Sequence, residues 1–251
     1  ATEPKEHEKI NNIINDVADL NVSIKVIADM YNILTGSVKM SSIFGALLIS
    51  VNPEILSPWE KITKRIVDVL LSILAILILL PVFILLSFLI KTGSKGPIIF
   101  KQKRIGLYGN PFWIFKFRSM ITEAEKDGPQ LSSQNDPRIT AIGKFMRKTR
   151  LDETPQFFNV IKGDMAIVGP RPEREYYIEK IVAKAPHYKH VLKVKPGITS
   201  WGQIKFGYAE NVDEMVARLK FDLLYVENMS LSLDVKILFY TAIIMIKGDG
   251  K

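Results

Sequence analysis

The sequence predicts an α/β (α+β) domain, mostly helical with a small β-hairpin or sheet, carried on a membrane helix. Three observations predict this class. A run without charged residues, Val69 to Ile90, is long enough as a helix to reach across a ~30 Å hydrocarbon layer. Two short segments with strand-like alternation follow it, separated by a glycine-containing turn. Apolar residues at helical spacing dominate the remaining chain.

Composition narrows the functional classes. The chain has 251 residues, 47% of them hydrophobic, which is ample for one or two domains with a buried core. The absence of cysteine excludes disulfides and thiolate metal sites. The net charge of +8 is compatible with nucleic acid, anionic lipid or phosphorylated ligands. Lipid is favoured because basic residues flank the apolar run, and no nucleic-acid-binding motif is recognisable.

Residues 1–57 are expected to be the C-terminal part of an upstream α/β domain. Apolar residues recur at helical spacing over 10–17, alternate like a strand over 22–26, and form a short apolar strand over 47–51. No phosphate-binding glycine loop is present, so no chemistry is assigned. The charged start is not followed by an apolar segment, so no signal peptide is expected.

Residues 58–95 form the predicted linker and membrane helix. Pro81 removes a backbone hydrogen bond in the middle of the apolar run, which predicts a bend there. Cations flank both ends, and a single crossing would place one cluster on the disfavoured face of the membrane. A bent, re-entrant helix places both clusters on the same face. The residues alone leave this arrangement and a proline-kinked transmembrane helix equally open.

Polar residues in this segment have predicted partners. Asp68 follows Lys64 and Arg65 by four and three residues, so both cations can neutralise it on one helix face. The bend frees backbone carbonyls that need hydrogen bonds at membrane depth. Ser72 and Ser87 are the candidate donors.

A β-hairpin is predicted next, from Pro97–Phe100 and Phe112–Arg118 with a turn over 106–111. Strand alternation places three aromatic side chains on one face, expected to be core: Trp113, Phe115 and Phe117. The other face carries Ile114 and two cations, Lys116 and Arg118. Two adjacent cations suit an anionic ligand, and a solvated surface is the alternative. The polar segment 122–135 is expected to be a loop that begins with a short helix.

Charged residues are densest over 136–174. Each fragment alone has a bland explanation: Asp152 and Glu153 could favour a helix N-terminus, and Arg171 could stiffen a loop between two prolines. Together they suggest chemistry. Adjacent carboxylates point about 100° apart on a helix, so one can attack while its neighbour holds a divalent cation. Nearby guanidinium groups match phosphate oxygens, as phosphoryl transfer to a carboxylate requires.

These fragments form an ordered set from Lys61 to the C-terminus that resembles the monotopic phosphoglycosyl transferases, also called bacterial sugar transferases. The resemblance is to the larger polyprenyl-phosphate hexose-1-phosphate transferase branch. The motifs are Lys64-Arg65 with Asp68, Pro81, Lys116–Met120, Asp136–Thr140, Leu151–Gln156, Asn159 with Gly163-Asp164, Val168–Pro172 and Lys195–Thr199. Each is weak alone, whereas the set in this order is specific.

The resemblance implies a re-entrant helix and a catalytic domain over 96–251. It implies that Asp152 attacks the β-phosphate of a UDP-hexose, releases UMP and passes the hexose-1-phosphate to polyprenyl (undecaprenyl) phosphate. Glu153 would assist and hold Mg²⁺. The implied substrate-binding residues are Lys116, Arg118, Arg147, Arg150, Gln156, Arg171, Pro172 and Arg174.

The same resemblance implies a place in the cell and a set of partners. The enzyme would lie in the bacterial cytoplasmic membrane, with its catalytic domain on the cytoplasmic face and lipid around its helix. A homodimer is plausible for this branch. The reaction would be the first membrane step of exopolysaccharide, capsule or O-antigen synthesis, with glucose or galactose as the hexose. The rival hypothesis is a non-enzymatic, membrane-anchored regulator that binds anionic lipid or polymer.

The chain departs from the family pattern in two places. Leu80 precedes the membrane proline, where the family often has serine, and the segment 200–204 reads Ser-Trp-Gly-Gln-Ile. The second departure makes the sugar preference harder to infer.

Two helices and a histidine pair complete the sequence predictions. An amphipathic helix is predicted over 211–227, and Ser232 is predicted to cap a last helix ending at Lys247. That last helix could lie at the membrane interface or in the core. His187 and His190 are too few for a metal site and are expected to have a structural or surface role.

Overall fold

The computed structural model describes residues 24–27, 48–51, 56–122, 124, 128, 130 and 136–247. The chain divides into two compact units, 1–57 and 58–251. In the first unit, strand β1 (Ile24–Ile27) pairs antiparallel with β2 (Leu48–Val51), close to the two predicted strands. The helix predicted over 10–17 lies outside the described residues. That this unit is the end of an upstream domain stays a prediction.

The second unit begins with helix α1 (Pro58–Gly93), 36 residues long, with Pro81 inside it. Among the described residues it is the one helix long and apolar enough to cross a membrane. The helix is continuous through Pro81, so a bend there stays a prediction. Ser72 does not serve such a bend: its Oγ donates to the Asp68 carbonyl at 2.7 Å. That prediction was wrong because a buried helical serine readily bonds the carbonyl four residues earlier.

One stripe of residues on helix α1 packs against the rest of the unit, and the other faces of the helix are exposed. Its buried residues are Asp68, Ser72, Leu86 and Ile90, which recur close to helical spacing. Large apolar side chains cover the exposed faces, including Ile62, Leu70, Leu74, Leu77, Ile78, Ile84, Leu85 and Phe88. A contiguous apolar surface of this kind is what a lipid-facing helix presents.

The predicted hairpin is present as β3 (Ile99–Ile105) and β4 (Pro111–Phe117), paired antiparallel. Its predicted facing was partly wrong, because Trp113 is 54% exposed whereas Ile114 is 3% exposed. The two ends of β4 are covered on opposite faces. Phe117 packs edge-on against Phe83 of α1, with ring centroids 5.3 Å apart, whereas Ile114 is buried on the other face nearer the turn.

The rest of the unit is mostly helical. In chain order the elements are α2 (Ala141–Lys148), a 3₁₀ turn (Leu151–Glu153), α3 (Gln156–Lys162), β5 (Ala166–Val168), α4 (Glu175–Lys184), a 3₁₀ segment (Pro186–Lys193), β6 (Gly197–Thr199), α5 (Trp201–Lys205), α6 (Val212–Glu227) and α7 (Leu231–Lys247). Helices α4 and α6 and the segment 186–193 share one apolar core.

Strands β5 and β6 form a short parallel pair in register Val168↔Thr199. They meet closely where Gly169 follows β5: a Cβ there would lie 2.9 Å from the Gly197 nitrogen. Glycine is therefore required at this approach.

The C-terminal helices agree with the prediction except at one cap. Asn211 caps α6 by accepting a hydrogen bond from the Glu214 N–H at 2.9 Å. Helix α7 is capped by Ser230, whose Oγ accepts from the Leu233 N–H at 3.2 Å, and not by Ser232, which already lies in the first turn. The helix buries Ile237 completely and leaves Val235 on its other side 66% exposed.

Candidate active site

The two adjacent acids lie in the 3₁₀ turn between α2 and α3. The residue before this turn, Arg150, has φ 55° and ψ 18°, in the left-handed region. A non-glycine residue held there costs roughly 1–2 kcal/mol. The turn is closed by the Glu153 N–H, which donates to the Arg150 carbonyl at 3.2 Å, and by Thr154 Oγ1, which donates to the Leu151 carbonyl at 2.7 Å. The strain is stored at the residue that positions both acids.

Three cations surround the carboxylate of Glu153. Lys116 Nζ lies 2.7 Å from Oε1, Arg171 Nη2 lies 3.5 Å from the same oxygen, and Arg150 Nη1 lies 3.5 Å from Oε2. Burial raises the pKa of Glu153, but the charges of Lys116, Arg171 and Arg150 outweigh it and hold the pKa well below its usual range. Glu153 is therefore ionised at neutral pH.

Asp152 has the opposite electrostatic environment. Burial first, and then the negative charge of Glu153, raise the pKa of Asp152 to about 6, although nearby cations, Lys116 and Arg147 among them, oppose the shift. A carboxylate with this pKa is ionised above pH 6 but weakly solvated, which suits a nucleophile. Two neighbouring carboxyl groups with pKa values moved apart can take different roles.

Arg171 is fixed by its neighbours on both sides. Its guanidinium lies over the ring of Tyr208, 5.2 Å from the centroid, and its Nη2 is 3.2 Å from the Tyr208 hydroxyl. The carbonyls of the flanking prolines accept hydrogen bonds, Pro170 from the Gly197 N–H and Pro172 from Arg104. Tyr208 was missed by sequence reasoning because it belongs to no recognisable motif.

A buried ion cluster lies behind Arg171. The Glu173 carboxylate contacts Arg218 at 2.6 Å and Arg104 at 3.4 Å. Burial raises the pKa of Glu173, but Arg218 and Arg104 outweigh it and lower the pKa overall. Sequence reasoning missed this cluster, although Glu173 directly follows the Gly169–Pro172 motif and could have drawn attention to it.

The structure argues against the phosphate contact predicted for Arg118. Its guanidinium donates to the carbonyls of Ile90, Ser94 and Lys95 at 3.2, 2.8 and 3.0 Å, and it is 4% exposed. Carbonyls at a helix C-terminus lack intrahelical donors. Arg118 therefore satisfies the end of α1 and joins it to β4.

The other predicted substrate-binding residues are brought to the site unequally. Lys116, Arg150 and Arg171 meet at Glu153, and Gln156 begins α3 with 2% exposure. Pro172 acts through its carbonyl, as described above. Arg174 lies at the N-cap of α4, with its guanidinium 5.9 Å from the centre of the Tyr177 ring.

The Asp136 motif closes a loop. Arg138 donates from Nε at 2.8 Å and from Nη2 at 2.6 Å to the two Asp136 oxygens. This hydrogen bonding lowers the pKa of Asp136 to about 2. The pair therefore stabilises the chain that leads into α2.

The predicted membrane residues Lys64 and Arg65 attach α1 to the rest of the unit. Lys64 Nζ donates to Asp234 of α7 at 2.5 Å. It also lies 3.7 Å from Asp68, which is the ion pair that the sequence predicted. Arg65 instead donates to the Val160 carbonyl at 2.6 Å and the Ile161 carbonyl at 2.9 Å. Among the described residues no direct ion pair joins Arg65 to Asp68, because the free carbonyls at the end of α3 bind the guanidinium, although its charge still lies near the Asp68 carboxylate.

A cleft of about 1050 Å³ opens beside Glu153. Its charged lining residues are Arg150, Glu153, Lys205 and Glu210, and its polar lining includes Thr199, Gln203 and Tyr208. The apolar wall is formed by Leu79 of α1 together with Leu238, Ala242 and Met245 of α7. The cleft therefore extends from Glu153 to Leu79 on α1.

The donor set at the acids permits a metal only together with a ligand. Among the described residues no group of three or more His, Asp or Glu side chains could hold a cation. Asp152 and Glu153 supply two carboxylates, and both oxygens of Glu153 already contact cations. Mg²⁺ commonly uses one or two carboxylates and completes its shell with substrate phosphates and water. The acids fit Mg²⁺ in that form.

Comparison with known proteins adds independent findings. A family model described as bacterial sugar transferase matches residues 59–248. The chain is 40% identical over 217 residues to an Aeromonas hydrophila UDP-N-acetylgalactosamine-undecaprenyl-phosphate N-acetylgalactosaminephosphotransferase, covering 86% of the chain and 51% of that protein. It is 36% identical over 234 residues to a Klebsiella pneumoniae UDP-glucose:undecaprenyl-phosphate glucose-1-phosphate transferase, covering 92% and 50%.

A third relative differs in its sugar. The chain is 34% identical over 245 residues to a Salmonella typhimurium undecaprenyl-phosphate galactose phosphotransferase, covering 91% of the chain and 50% of the relative. The chain thus spans about half the length of the curated relatives it matches.

Proposed function

Because the chain belongs to the bacterial sugar transferase family, we propose that it transfers a sugar-1-phosphate from a UDP-sugar to undecaprenyl phosphate and releases UMP. The single observation that carries this proposal is the acid pair. Asp152 is buried with a raised pKa, next to a Glu153 that three cations keep ionised. The rival regulator hypothesis gains no support, since the relatives are named as transferases.

The proposed reaction has two displacements at one phosphorus. A carboxylate oxygen of Asp152 attacks the β-phosphorus, and the bond to the oxygen that bridges the α-phosphate breaks, so that UMP leaves. An oxygen of undecaprenyl phosphate then attacks the same phosphorus and restores the Asp152 carboxylate. Lys116, Arg150 and Arg171 neutralise phosphate oxygens as charge develops on the leaving group.

Mg²⁺ is proposed to be held by Glu153 together with diphosphate oxygens. Bound there, the cation would supply charge neutralisation for the leaving nucleotide. UMP release should then stop when the protein is treated with EDTA and return on addition of Mg²⁺. Full activity in EDTA would refute the metal proposal.

The contacts of α1 support a re-entrant arrangement in the membrane. Its first half is bonded to α3 and α7 through Arg65 and Lys64, and its second half packs on β4 through Phe83. One polar domain thus holds both halves, which is difficult if the ends lie on opposite faces of a bilayer. The protein associates with a membrane, and we propose that both ends of α1 and the catalytic domain lie on the cytoplasmic face of the bacterial inner membrane. The homodimer stays a prediction for light scattering of the solubilised protein.

The decisive test identifies the released nucleotide. Detergent-solubilised protein is incubated with Mg²⁺, undecaprenyl phosphate and each of several UDP-sugars. We expect UMP from the wild type, loss of at least ~10³-fold with Asp152→Asn, and wild-type rates with Asp213→Asn, an exposed aspartate of α6. Without acceptor, intact-mass measurement should show a sugar-phosphate adduct that Asp152→Asn lacks. Release of UDP, or turnover by Asp152→Asn, would overturn the proposal.

A further inference from the structure

Two cationic side chains converge over the C-terminal end of α3. Gly163 ends this helix with φ 101°, and a Cβ placed on it would lie 3.6 Å from Arg65 Nη2 and 3.9 Å from Lys195 Nζ. Arg65 belongs to α1, whereas Lys195 precedes β6. Both groups thus approach the same point of the surface, although like charges disfavour such an approach.

The fold accounts for Arg65 but not for Lys195. Arg65 satisfies the end of α3 by donating to the carbonyls of Val160 and Ile161. Lys195 Nζ makes neither a hydrogen bond nor an ion pair with any residue that the structure describes. Burial and then the charge of Arg65 lower the pKa of Lys195. The half-buried ammonium therefore lacks a direct counter-ion.

The nearby acids have other partners. Asp164 Oδ2 lies 3.1 Å from Lys162 Nζ, and Asp68 Oδ2 lies 3.7 Å from Lys64 Nζ. The cations of this group are Lys64, Arg65, Lys162 and Lys195, and its acids are Asp68, Asp164 and Asp234. The cations exceed the acids by one, so the group can accept an anion with one negative charge.

The group lies where α1 enters the membrane. Arg65 comes four residues before the run without charged residues, Val69 to Ile90. Trp59, Ile62 and Ile66 on the same part of α1 are 63%, 62% and 53% exposed. Exposed tryptophan is typical of the boundary between the hydrocarbon and the headgroups. Arg65 and Lys195 are therefore at the level of the lipid phosphates.

This group is distinct from the catalytic acids. Asp152 and Glu153 precede α3 and Gly163 follows it, so the seven residues of the helix separate them by about 10 Å at 1.5 Å per residue. The parallel strands give the same order. Lys195 lies before β6, whereas Thr199 at its other end lines the cleft.

We propose that Arg65 and Lys195 bind the phosphate of an anionic phospholipid headgroup at the membrane surface. A phosphodiester supplies the missing negative charge between the two cations, and basic pockets beside a membrane helix commonly bind such headgroups. The site goes beyond the proposed transfer reaction, because the lipid here is neither its donor nor its acceptor. It would fix the depth at which the catalytic domain rests on the membrane.

The test measures lipid affinity without turnover. Calorimetry of the protein in non-ionic detergent determines the Kd values of dihexanoyl phosphatidylglycerol, dihexanoyl phosphatidylcholine and inorganic phosphate. With Lys195→Met we expect the Kd of phosphatidylglycerol to rise about five- to tenfold, as one cation at an anionic headgroup contributes about 1 kcal/mol. The Kd of phosphatidylcholine should change by less than about twofold, because its choline cation cancels the phosphate charge.

Two further variants control the experiment. Lys195→Arg keeps the charge and should retain the wild-type Kd of phosphatidylglycerol within about twofold. Lys103→Met removes an exposed cation of the hairpin and should leave every Kd unchanged. Thermal unfolding checks the fold. Without lipid, Lys195→Met should keep the wild-type Tm, because the ammonium makes no hydrogen bond and repels Arg65.

The outcomes separate the possible occupants. An unchanged Kd of phosphatidylglycerol in Lys195→Met, or an equal loss of phosphatidylcholine affinity, would overturn the proposal. Inorganic phosphate binding as tightly as phosphatidylglycerol would assign the site to a soluble anion instead. If Lys195→Met raised only the KM for undecaprenyl phosphate in UMP release, the site would belong to the acceptor and the proposal would fall. Because the binding measurement needs no turnover, it stands even if the protein releases no UMP.

Discussion

Replacing Lys116 by methionine should shift the pH dependence of the proposed sugar-phosphate transfer. Lys116 Nζ is 2.7 Å from Glu153 Oε1, and its charge also lowers the pKa of Asp152, which burial has raised to about 6. Without this cation the pKa of Asp152 should rise by about one pH unit, the low end of what an adjacent opposite charge produces. Glu153 keeps Arg171 and Arg150 at 3.5 Å and should stay ionised.

Under the proposed function, the direction of the change follows from the protonation state in which Asp152 would attack. Only the carboxylate is nucleophilic, so kcat/KM rises as pH increases through the pKa of Asp152 in the free enzyme. In the wild type the rise should level off above pH 6, since that pKa is about 6. In Lys116→Met it should continue for about one further pH unit, so that at pH 6 the ionised fraction falls from a half to about a tenth.

The assay is UMP release over pH 5 to 9, with kcat/KM determined at each pH. Lys103→Met provides the matched control, because Lys103 is on the same hairpin but 55% exposed. Its profile should superimpose on that of the wild type. A Lys116→Met profile that is lower at every pH, with its rise at an unchanged pH, would show that Lys116 acts on the substrate alone and would refute this electrostatic reasoning.

Three other perturbations test the fold and the membrane arrangement. Arg118→Met should lower stability by about 3 kcal/mol and Tm by roughly 6–12 °C, because buried carbonyls at the end of α1 lose their donor, while UDP-sugar affinity stays within about twofold. A lower UDP-sugar affinity of Arg118→Met with an unchanged Tm would instead support the prediction that Arg118 contacts phosphate. Gly169→Ala should abolish folding, as judged by circular dichroism, because the approach of β5 and β6 leaves no room for a Cβ, whereas Gly93→Ala, with open space around it, should keep the wild-type Tm. The chain has no cysteine, so single cysteines at Thr63 and Thr92 can be labelled cleanly; both should react from the same side of the membrane, and labelling from opposite sides would exclude the re-entrant helix.

Much of the fold could be predicted because its elements follow local patterns. The hairpin, the apolar helix and α6 each carry their own periodicity and turn or capping residues. The wrong predictions concern features that depend on tertiary contacts and not on local sequence. Trp113 was predicted to lie in the core but is exposed, and Ile114 on the opposite face is buried instead. The reason is that different elements cover the two ends of β4. Ser230 caps α7 in preference to Ser232, a shift of two residues that local sequence does not resolve.

The candidate site was predictable where its residues are adjacent in sequence or share a strand. Asp152 and Glu153 occur together, and Lys116 was placed beside an anionic ligand by strand alternation. The same alternation predicted an anionic ligand for Arg118 as well. Lys116 and Arg118 differ only because Arg118 donates to carbonyls at the end of α1, which the sequence does not show. Tyr208 could not be predicted, because its contact with Arg171 depends on how distant segments pack.

The anchor and the active site are one structural unit. Val168, the last residue of β5, has a carbonyl that accepts hydrogen bonds from Lys64 of α1 and from the Tyr225 hydroxyl of α6, each at 3.1 Å. Arg171 follows three residues later, so α1 is bonded to the strand that precedes the Arg171 guanidinium. The cleft beside Glu153 is also walled by Leu79 of α1. Under the proposed function, a lipid acceptor could therefore bring its phosphate to Asp152 while its apolar chain stays against the helix, and removal of α1 should disable the reaction as well as detach the protein.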